Sequence, residues 1–355
     1  MKRIGNIYSS ILDTKVINDM YKKIKRNTKN KRKIEVFESN YVSNISYIKE
    51  ILENKTYKVG KYNIFLIREP KLRIVMSQNI IDKLINHLVS KYFLVNIFEN
   101  SLINENVATR LNKGTKEGIN LTKKYLNKIK GKTFYILKFD IAKYFYNIDH
   151  EIIKNILIKK IKDKDVLNIL YKIIDSTNES YINDKINNIK ENVKDAKDIP
   201  LYKKGKGLPI GNMSSQFLAI LYLNELDHFI KEKLKIKYYI RYMDDGILIH
   251  EDKEYLKFCL FEIEKILKKY KLELNHKTKI YKSSEGFEFL GFRYIIKNNK
   301  VIMKVKNGTK KRFKKKIKNL KDNKGLVLAS YMGHLGYGNC KKLIISNLRL
   351  FLTHC

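Results

Sequence analysis

Residues 240–250 read Ile240-Arg241-Tyr242-Met243-Asp244-Asp245-Gly246-Ile247-Leu248-Ile249-His250. Apolar, β-prone residues stand on both sides of two adjacent carboxylates, and Asp-Gly is a favoured hairpin turn. This pattern predicts a β-hairpin over residues 237–250 that carries Asp244 and Asp245 at its tip. Carboxylates held in one place suit hard divalent cations such as Mg²⁺, which bind oxygen ligands and keep several waters. An ordinary solvated turn has the same residues, so the rest of the sequence must decide between the two.

A second acid stands at the end of another predicted strand. Residues 133–140 form a β-rich run that ends at Asp140. If this strand lies beside the hairpin, Asp140 and Asp244 are expected to meet across it. Two such carboxylates can hold two Mg²⁺ ions about 3.5–4 Å apart, which is the geometry of in-line phosphoryl transfer. For Asp140 taken singly, a helix or turn cap is the alternative.

The charge of the chain predicts a polyanionic partner. Its 355 residues include 74 Lys and Arg against 36 Asp and Glu, a net charge of +38. A charge of this size favours nucleic-acid binding that weakens strongly with salt. The 24 Tyr and 16 Phe are available for stacking on bases or sugars.

Cysteine usage and hydropathy bear on the compartment. The three cysteines have neither the spacing of a metal site nor that of a disulfide framework, which favours a reducing environment. No stretch resembles a signal peptide or reaches the ~20 apolar residues of a membrane helix. A cytoplasmic protein without a membrane partner is therefore predicted.

Hydrophobic periodicity predicts that helices and strands alternate around the acids, in an α+β palm with helical additions at both ends. The expected helical segments are residues 1–60, 79–98, a segment capped by Asp149, 213–234, 252–270 and most of 304–355, with a glycine-rich break at Gly333, Gly336 and Gly338. The expected strands are residues 62–76 (two short strands around a turn), 133–140, 237–250 (the hairpin), 279–283 and 287–296. Residues 176–206 are rich in Asn, Asp and Lys and are predicted to form a loop or a weak helix.

Three segments, in their order along the chain, resemble the palm motifs of reverse transcriptases. They are the segment around Asp140, the run Gly207-Leu208-Pro209-Ile210-Gly211-Asn212-Met213-Ser214-Ser215-Gln216, and Tyr242-Met243-Asp244-Asp245. The ordered set is far more specific than a Tyr-x-Asp-Asp box alone. The resemblance covers about residues 60–345 and implies an RNA-directed DNA polymerase, which makes cDNA on an RNA template from dNTPs.

The resemblance also implies a right-hand polymerase fold of the α+β class. Residues 1–60 are then an N-terminal helical extension and residues 61–132 the fingers. Residues 133–296 are the palm, an antiparallel sheet plus helices with a polar insertion at about 176–206. Residues 297–355 are a basic helical thumb that clamps the duplex backbone. Its basic cluster is Lys310, Lys311, Arg312, Lys314, Lys315 and Lys316; each of these lysines taken singly also fits a solvated basic face.

Roles for the acids follow from the same resemblance. Asp140, Asp244 and Asp245 are the expected catalytic carboxylates. Together with Ile141 they are expected to hold two Mg²⁺ ions, for which Mn²⁺ is an alternative. One ion would lower the pKa of a primer 3′-hydroxyl, and the other would stabilise the leaving pyrophosphate.

The nucleotide-binding residues are expected on three segments. Glu69-Pro70-Lys71-Leu72-Arg73-Ile74 resembles the fingers motif whose Lys and Arg hold the incoming triphosphate, and an arginine can bind phosphate through two hydrogen bonds. Phe145 stands where these enzymes place a bulky gate that rejects a 2′-hydroxyl; the alternative is a core phenylalanine. Gly211 allows close backbone approach, and Gln216 is placed to hydrogen-bond near the templating base.

Two further assignments lie towards the C-terminal side of the palm. Lys277 matches the region that supplies a general acid to pyrophosphate, although Lys279 stands close enough to compete. Phe289, Leu290 and Gly291 resemble the primer grip, a tight hairpin against the primer strand.

The resemblance separates the subtypes of reverse transcriptase less sharply. Ile210-Gly211-x-x-x-Ser215-Gln216 is most similar to the diversity-generating retroelement enzymes, which work with a structured RNA and a small basic accessory protein. An antiviral-defence reverse transcriptase is the alternative, and a retron or intron-derived enzyme fits less well. A polymerase-like protein that mainly binds RNA, and a basic nucleic-acid-binding domain without chemistry, remain as different classes of function. Oligomeric state, template, priming mode and fidelity stay open.

Overall fold

The computed structural model describes residues 3–69, 71–319, 324–338, 340 and 345. Pro70 of the predicted fingers motif and residues 346–355 at the end of the predicted thumb lie outside these described residues. The helices are α1 (Thr14–Asn27), α2 (Lys31–Glu38), α3 (Tyr41–Glu53), α4 (Ile80–Val89), α5 (Asn96–Phe98), α6 (Thr115–Ile129), α7 (Tyr144–Asn147), α8 (His150–Ile158), α9 (Lys164–Asp175), α10 (Ser180–Asn192), α11 (Met213–Tyr222), α12 (Asn224–His228), α13 (Lys253–Lys269), α14 (Asn307–Asn319) and α15 (Lys324–Leu335). The strands are β1 (Asn63–Ile67), β2 (Arg73–Ser77), β3 (Tyr135–Asp140), β4 (Tyr238–Tyr242), β5 (Asp245–His250), β6 (Lys279–Lys282), β7 (Phe287–Phe289), β8 (Phe292–Lys297) and β9 (Lys300–Val305).

The chain divides into two compact units, each built from separate stretches of sequence. Unit 1 comprises Met1–Arg110, Ile141–Phe229 and Glu262–Asn275. Unit 2 comprises Leu111–Asp140, Ile230–Phe261 and His276–Cys355. The boundaries expected for fingers, palm and thumb remain predictions.

Unit 1 contains the predicted N-terminal helices and the predicted strand pair of the fingers. Helices α1, α2 and α3 pack against one another or against α4. Strands β1 and β2 form an antiparallel hairpin whose register pairs Asn63 with Ser77 and Ile67 with Arg73. Its buried face carries Ile64, Ile74 and Met76.

The polar segment at 176–206 differs from the prediction of a loop or weak helix. It contains α10, a helix of 13 residues that packs against β1. Ile182 and Ile186 are fully buried in the core behind the β1–β2 hairpin, together with Tyr202. These two isoleucines are four residues apart and therefore share one helix face. Tyr181 and Ile189 of the same helix pack against this core while partly exposed.

The long helices predicted at 79–98 and 213–234 are present but interrupted. A π-helical segment at Ser90–Val95 separates α4 from α5, and another at Phe229–Lys233 follows α12. Helix α11 ends at Tyr222, because the next residue, Leu223, has φ and ψ of −98° and 12°, which are not helical. Almost all of α11 is buried, since it packs against α4, α8 and the first π-helical segment.

Unit 2 is built on a four-stranded antiparallel sheet in the order β4-β5-β3-β6. Phe139, Tyr239, Ile240 and Ile247 are fully buried in this sheet, and α6 packs against β4. The predicted strand at 133–140 and the predicted hairpin at 237–250 are thus both confirmed, and they are neighbours.

A second sheet of unit 2, in the order β7-β8-β9, contains a strand that the sequence analysis missed. Residues 300–305 form β9, whose Met303 and Val305 are buried while Lys300 and Lys304 are exposed. The lysines made residues 300–305 look like part of the basic helical segment, so the alternation of buried and exposed residues was not recognised. Asn298 and Asn299 both have positive φ, 48° and 53°, which is the conformation of a type I′ hairpin turn.

The glycine-rich break was also misplaced in part. Gly333 lies inside α15, which continues to Leu335, whereas Gly336 and Gly338 follow the end of the helix. Throughout the described residues, no helix is both long and apolar enough to cross a membrane.

Candidate active site

The hairpin that carries the paired acids turns two positions before its Asp-Gly pair. Strand β4 ends at Tyr242 and β5 begins at Asp245, so the turn residues are Met243 and Asp244 rather than Asp245 and Gly246. Met243 has a φ of 57°, a region that non-glycine residues seldom occupy without support from their surroundings.

Arg241 supplies part of that support. Its side chain is fully buried, and Nη1 donates a hydrogen bond of 2.7 Å to the carbonyl oxygen of Met243. A buried guanidinium is stable only where its donors find acceptors, so Arg241 and the turn depend on each other. The turn is therefore held from below by a charged side chain.

Gly246 serves packing rather than the turn. It lies in β5, opposite both Arg241 of β4 and Phe139 of β3. A Cβ atom at this position would collide with the ring of Phe139. The absence of a side chain therefore lets the buried ring lie directly under the strand that presents Asp245.

The register of β3 against β5 determines which acids meet. Asp140, the last residue of β3, is paired directly with Asp245. Asp244 stands in the turn and outside the ladder, so the expectation that the side chains of Asp140 and Asp244 meet across the hairpin stays a prediction. Asp140, Asp244 and Asp245 nevertheless belong to one edge of the same sheet, within unit 2.

Burial and like charge act together on Asp245. Burial, followed by the charges of Asp140 and Asp244, raises the pKa of this carboxyl to about 7, against the lowering effect of Lys138. Lys138 Nζ lies 3.5 Å from Asp245 Oδ1, at the outer limit of a hydrogen bond, so its attraction is chiefly Coulombic. Oδ1 is buried and has no hydrogen-bond partner among the described residues.

This arrangement fits a divalent cation that is completed by other ligands. Within the described ranges, no group of three or more His, Cys, Asp and Glu side chains is placed to hold a metal ion by itself. Mg²⁺ does not need one, because it is usually held by one or two carboxylates and completed by waters and substrate phosphates. Asp245 Oδ1, which is buried without a hydrogen-bond partner among the described residues, is an atom that a bound cation would satisfy.

Two candidates lie next to the acids along the chain. Ile141 follows Asp140, is buried, and forms an isolated antiparallel bridge with Leu274 in unit 1. The backbone N–H of Asp140 donates to Thr278 Oγ1 at 3.4 Å in unit 2. Lys277, the residue before Thr278, is exposed on the turn that leads into β6. The roles of Ile141 and Lys277 stay predictions.

Unit 1 places one of the predicted nucleotide-binding residues, Arg73, in a cavity. Arg73 begins β2 and lines a cavity of about 330 Å³ with Tyr146 and Ile210, in which Asp195 and Asp198 also stand. Lys71 is exposed just before the strand. The cavity therefore links the fingers hairpin, the segment after Phe145 and the glycine-containing loop.

The 207–211 loop lies against the fingers hairpin as its glycines suggested. Met76 N–H donates to the carbonyl oxygen of Ile210 at 2.8 Å. Gly211 has a φ of 127°, and a Cβ there would stand 2.7 Å from the Met76 carbonyl oxygen, closer than a side chain tolerates. Gln216 lies in the first turn of α11 and is half-buried.

Phe145 is only partly enclosed, and its role as a gate stays a prediction. Phe145 is half-buried, whereas its neighbour Tyr144 is 2% exposed and takes the core position. The primer-grip candidate forms the expected tight hairpin, because Leu290 and Gly291 both have positive φ, 50° and 85°. Phe289 and Phe292 anchor it in the core.

Comparison with known proteins identifies the family to which this chain belongs. Residues 60–294 match the sequence model of the family described as Reverse transcriptase (RNA-dependent DNA polymerase). The chain belongs to the reverse transcriptase family. The match includes all three acids and the 207–216 run that sequence motifs singled out.

Individual relatives of this reverse transcriptase are distant. A putative COX1/OXI3 intron 2 protein from Saccharomyces cerevisiae is 29% identical over 101 residues, which is 28% of this chain and 10% of that protein. Apo telomerase from Candida tropicalis is 16% identical, with a TM-score of 0.47, over 74% of this chain and 60% of that chain. Telomerase from Candida albicans, in complex with a fragment of telomeric RNA, is 12% identical, with a TM-score of 0.46, over 89% and 60%.

Sequence reasoning missed three residues that shape this reverse-transcriptase site. They are Arg241, Lys138 and Thr278, which contact the turn, Asp245 and Asp140 respectively. A signal existed for Arg241, since a charged residue in the middle of a buried strand must have a partner. Lys138 alternates with the apolar residues of β3 and had no distinguishing mark.

Proposed function

We propose that this chain is an RNA-directed DNA polymerase that extends a primer by two-metal nucleotidyl transfer. The observation that carries the proposal is the direct pairing of Asp140 with Asp245 beside the Met243–Asp244 turn. In the reaction, the primer 3′-oxygen forms a bond to the α-phosphorus of a dNTP while the bond to the pyrophosphate leaving group breaks. Mg²⁺, when bound, would acidify the 3′-hydroxyl and stabilise charge on pyrophosphate.

The residues of the chain divide the remaining work. Asp140, Asp244 and Asp245 hold the cations, and Lys277 Nζ gives a proton to the leaving pyrophosphate. Lys71 and Arg73 bind the triphosphate. These tasks follow from the chemistry of the side chains and from family membership.

Substitution of Asp244 tests the proposal. Asp244→Asn should reduce dNTP incorporation on an RNA template with Mg²⁺ by at least about 100-fold, because metal stabilisation of transition-state charge is worth several kcal/mol. Asp19→Asn, an exposed change on α1 with the same chemistry, is the matched control and should retain activity. Equal incorporation by both variants would contradict the proposal.

We further propose that the enzyme belongs to a diversity-generating retroelement, with a structured RNA and a small basic accessory protein as partners. The Ile210-Gly211-x-x-x-Ser215-Gln216 start of α11 supports this subtype. Sequencing of copurifying RNA and cDNA tests it. A defined template copied with substitutions at adenines is expected, whereas cDNA of unrelated templates would favour the antiviral-defence alternative.

A further inference from the structure

A buried histidine stands behind the glycine-containing loop of unit 1. His150 is the first residue of α8, and its side chain is 1% exposed. Nδ1 lies 3.0 Å from Asp175 Oδ1, and Nε2 lies 2.7 Å from the carbonyl oxygen of Gly207. Thr177 Oγ1 donates to the same carbonyl at 3.0 Å. The Gly207 carbonyl is thus in hydrogen-bond contact with two side chains, those of His150 and Thr177.

The two contacts of the ring have the same polarity. The Asp175 carboxylate and the Gly207 carbonyl are both acceptors, and the ring of His150 lies between them with one nitrogen facing each. Lys154 Nζ lies 2.9 Å from the other oxygen of Asp175. The Asp175 end of this chain reaches the surface, whereas the His150 ring and the Gly207 carbonyl are buried, so the carbonyl is held where water cannot replace its partners.

The fixed carbonyl lies where two predicted nucleotide-binding segments run side by side. Gly207 N–H donates to the Ile148 carbonyl at 2.7 Å, and Leu208 N–H donates to the Phe145 carbonyl at 2.8 Å. The backbone N–H of His150 donates a third hydrogen bond between the two segments, to the Gly205 carbonyl at 2.9 Å. Residues 205–208 therefore hold the backbone of Phe145 directly.

Gly207 leaves little freedom for adjustment. Its φ is 90°, and a Cβ there would stand 2.5 Å from a ring carbon of Tyr202 and 3.3 Å from the Phe145 carbonyl oxygen. The loop then continues to Ile210, whose carbonyl accepts from Met76 of β2. A displacement of the Gly207 carbonyl must therefore be transmitted either to Phe145 or to the segment that enters α11.

We propose that His150, braced by Asp175, is a positioning residue for sugar selection in the incoming nucleotide. It fixes the Gly207 carbonyl, and through the Leu208 hydrogen bond it fixes the position of Phe145 beneath the sugar. The inference rests on the proposed polymerase function and on the role of Phe145 as the gate. The histidine acts through the backbone and touches no substrate.

His150→Phe tests this role, because it keeps a flat ring and removes both hydrogen bonds. In single-nucleotide incorporation, we expect the KM for dNTP to rise by about tenfold, since small displacements of positioned groups have large kinetic effects. The preference for dNTP over rNTP should fall, while kcat at saturating dNTP changes less. Asp175→Asn keeps an acceptor for Nδ1 and should shift both quantities in the same direction by a smaller factor.

His228→Phe is the matched control. Its Nε2 also contacts a backbone carbonyl in unit 1, that of Ser101 at 2.9 Å, but not one in the 205–208 loop. Sugar preference should be unchanged in this variant. If His150→Phe does not fold, Asp175→Asn and Thr177→Val replace it as tests. Each weakens the contacts that hold the Gly207 carbonyl, and each should lower the preference for dNTP over rNTP.

The outcomes separate the inference from its premises. No dNTP incorporation by the unmodified chain overturns the polymerase function. Unchanged sugar preference in Phe145→Ala overturns the gate, and the positioning role falls with it. A relaxed preference in Phe145→Ala, with wild-type preference in the folded His150 and Asp175 variants, overturns the positioning role alone.

Discussion

At the scale of single residues, the roles of Met243, Asp244 and Gly246 differ from those that the Met-Asp-Asp-Gly pattern predicts. Asp-Gly is a favoured turn pair, yet the turn is formed by Met243 and Asp244. Gly246 is needed in the strand because the ring of Phe139 occupies the space of its side chain. Local turn preference is thus overridden by packing between neighbouring strands, which a single sequence does not show.

Gly246→Ala tests this packing role. The added methyl group must displace the Phe139 ring or the strand, so the free energy of unfolding should fall by about 1–3 kcal/mol, the usual cost of overpacking. Gly131→Ala is the control, since a Cβ there meets no atom within 4 Å. Chemical denaturation measures both variants, and equal stability would show that Gly246 is not required by packing.

At the scale of elements, the predicted strands and most helices were found because their apolar residues follow periods of two or three to four. The fingers hairpin, the strand that ends at Asp140 and the helix capped by Asp149 are examples. Strand β9 was missed, and α10 was predicted only as a loop or weak helix, because lysine, asparagine and aspartate outnumber the few residues that face the core. The place of Arg241 in a buried strand signals that it has a partner, but the sequence does not show which backbone carbonyl Arg241 or His150 reaches.

The cap of α8 gives a prediction for pH. Asp149 Oδ1 accepts from the N–H groups of Glu151 and Ile152, and Oδ2 lies 2.6 Å from Lys271 Nζ. Burial alone would raise the pKa of Asp149, but Lys271 and the backbone donors outweigh it and lower the pKa. The charge of Asp149 therefore stabilises the fold fully at any pH above the pKa that Asp149 has in the unfolded chain. This stabilisation is lost as the pH falls through the lower pKa that Asp149 has in the folded protein.

Asp149→Asn keeps a capping side chain, since asparagine caps helices about as well as aspartate, but it removes the charge that pairs with Lys271. The free energy of unfolding near pH 7 should therefore fall by about 0.5–1 kcal/mol, the range for a charge at a helix N-terminus. The difference from wild type should shrink as pH falls below the ordinary pKa of aspartate and disappear below the lower pKa of the folded state. Urea unfolding across this range measures it. A difference that stays constant with pH would mean that the charge of Asp149 does not contribute.

At the scale of the whole molecule, a net charge of +38 makes nucleic-acid binding strongly dependent on salt. Affinity for a primer–template duplex should fall by at least about 100-fold between about 50 and 200 mM salt, as counterion release predicts. Lys314→Ala with Lys315→Ala, both exposed on α14, should reduce the slope of log affinity against log salt by about 1–2. Lys22→Ala on α1 is the matched control, and an equal effect there would remove the special role of α14.

The most direct test of the proposed metal site is single-nucleotide incorporation on an RNA template by the Asp140→Asn variant. Asp140 is the acid that the sheet register pairs with Asp245, and this pairing carries the proposed metal site. Incorporation with Mg²⁺ should fall by at least about 100-fold while the variant remains folded, because one of the paired carboxylates has lost its charge. Incorporation within about twofold of wild type would contradict the assignment of this sheet edge as the catalytic centre.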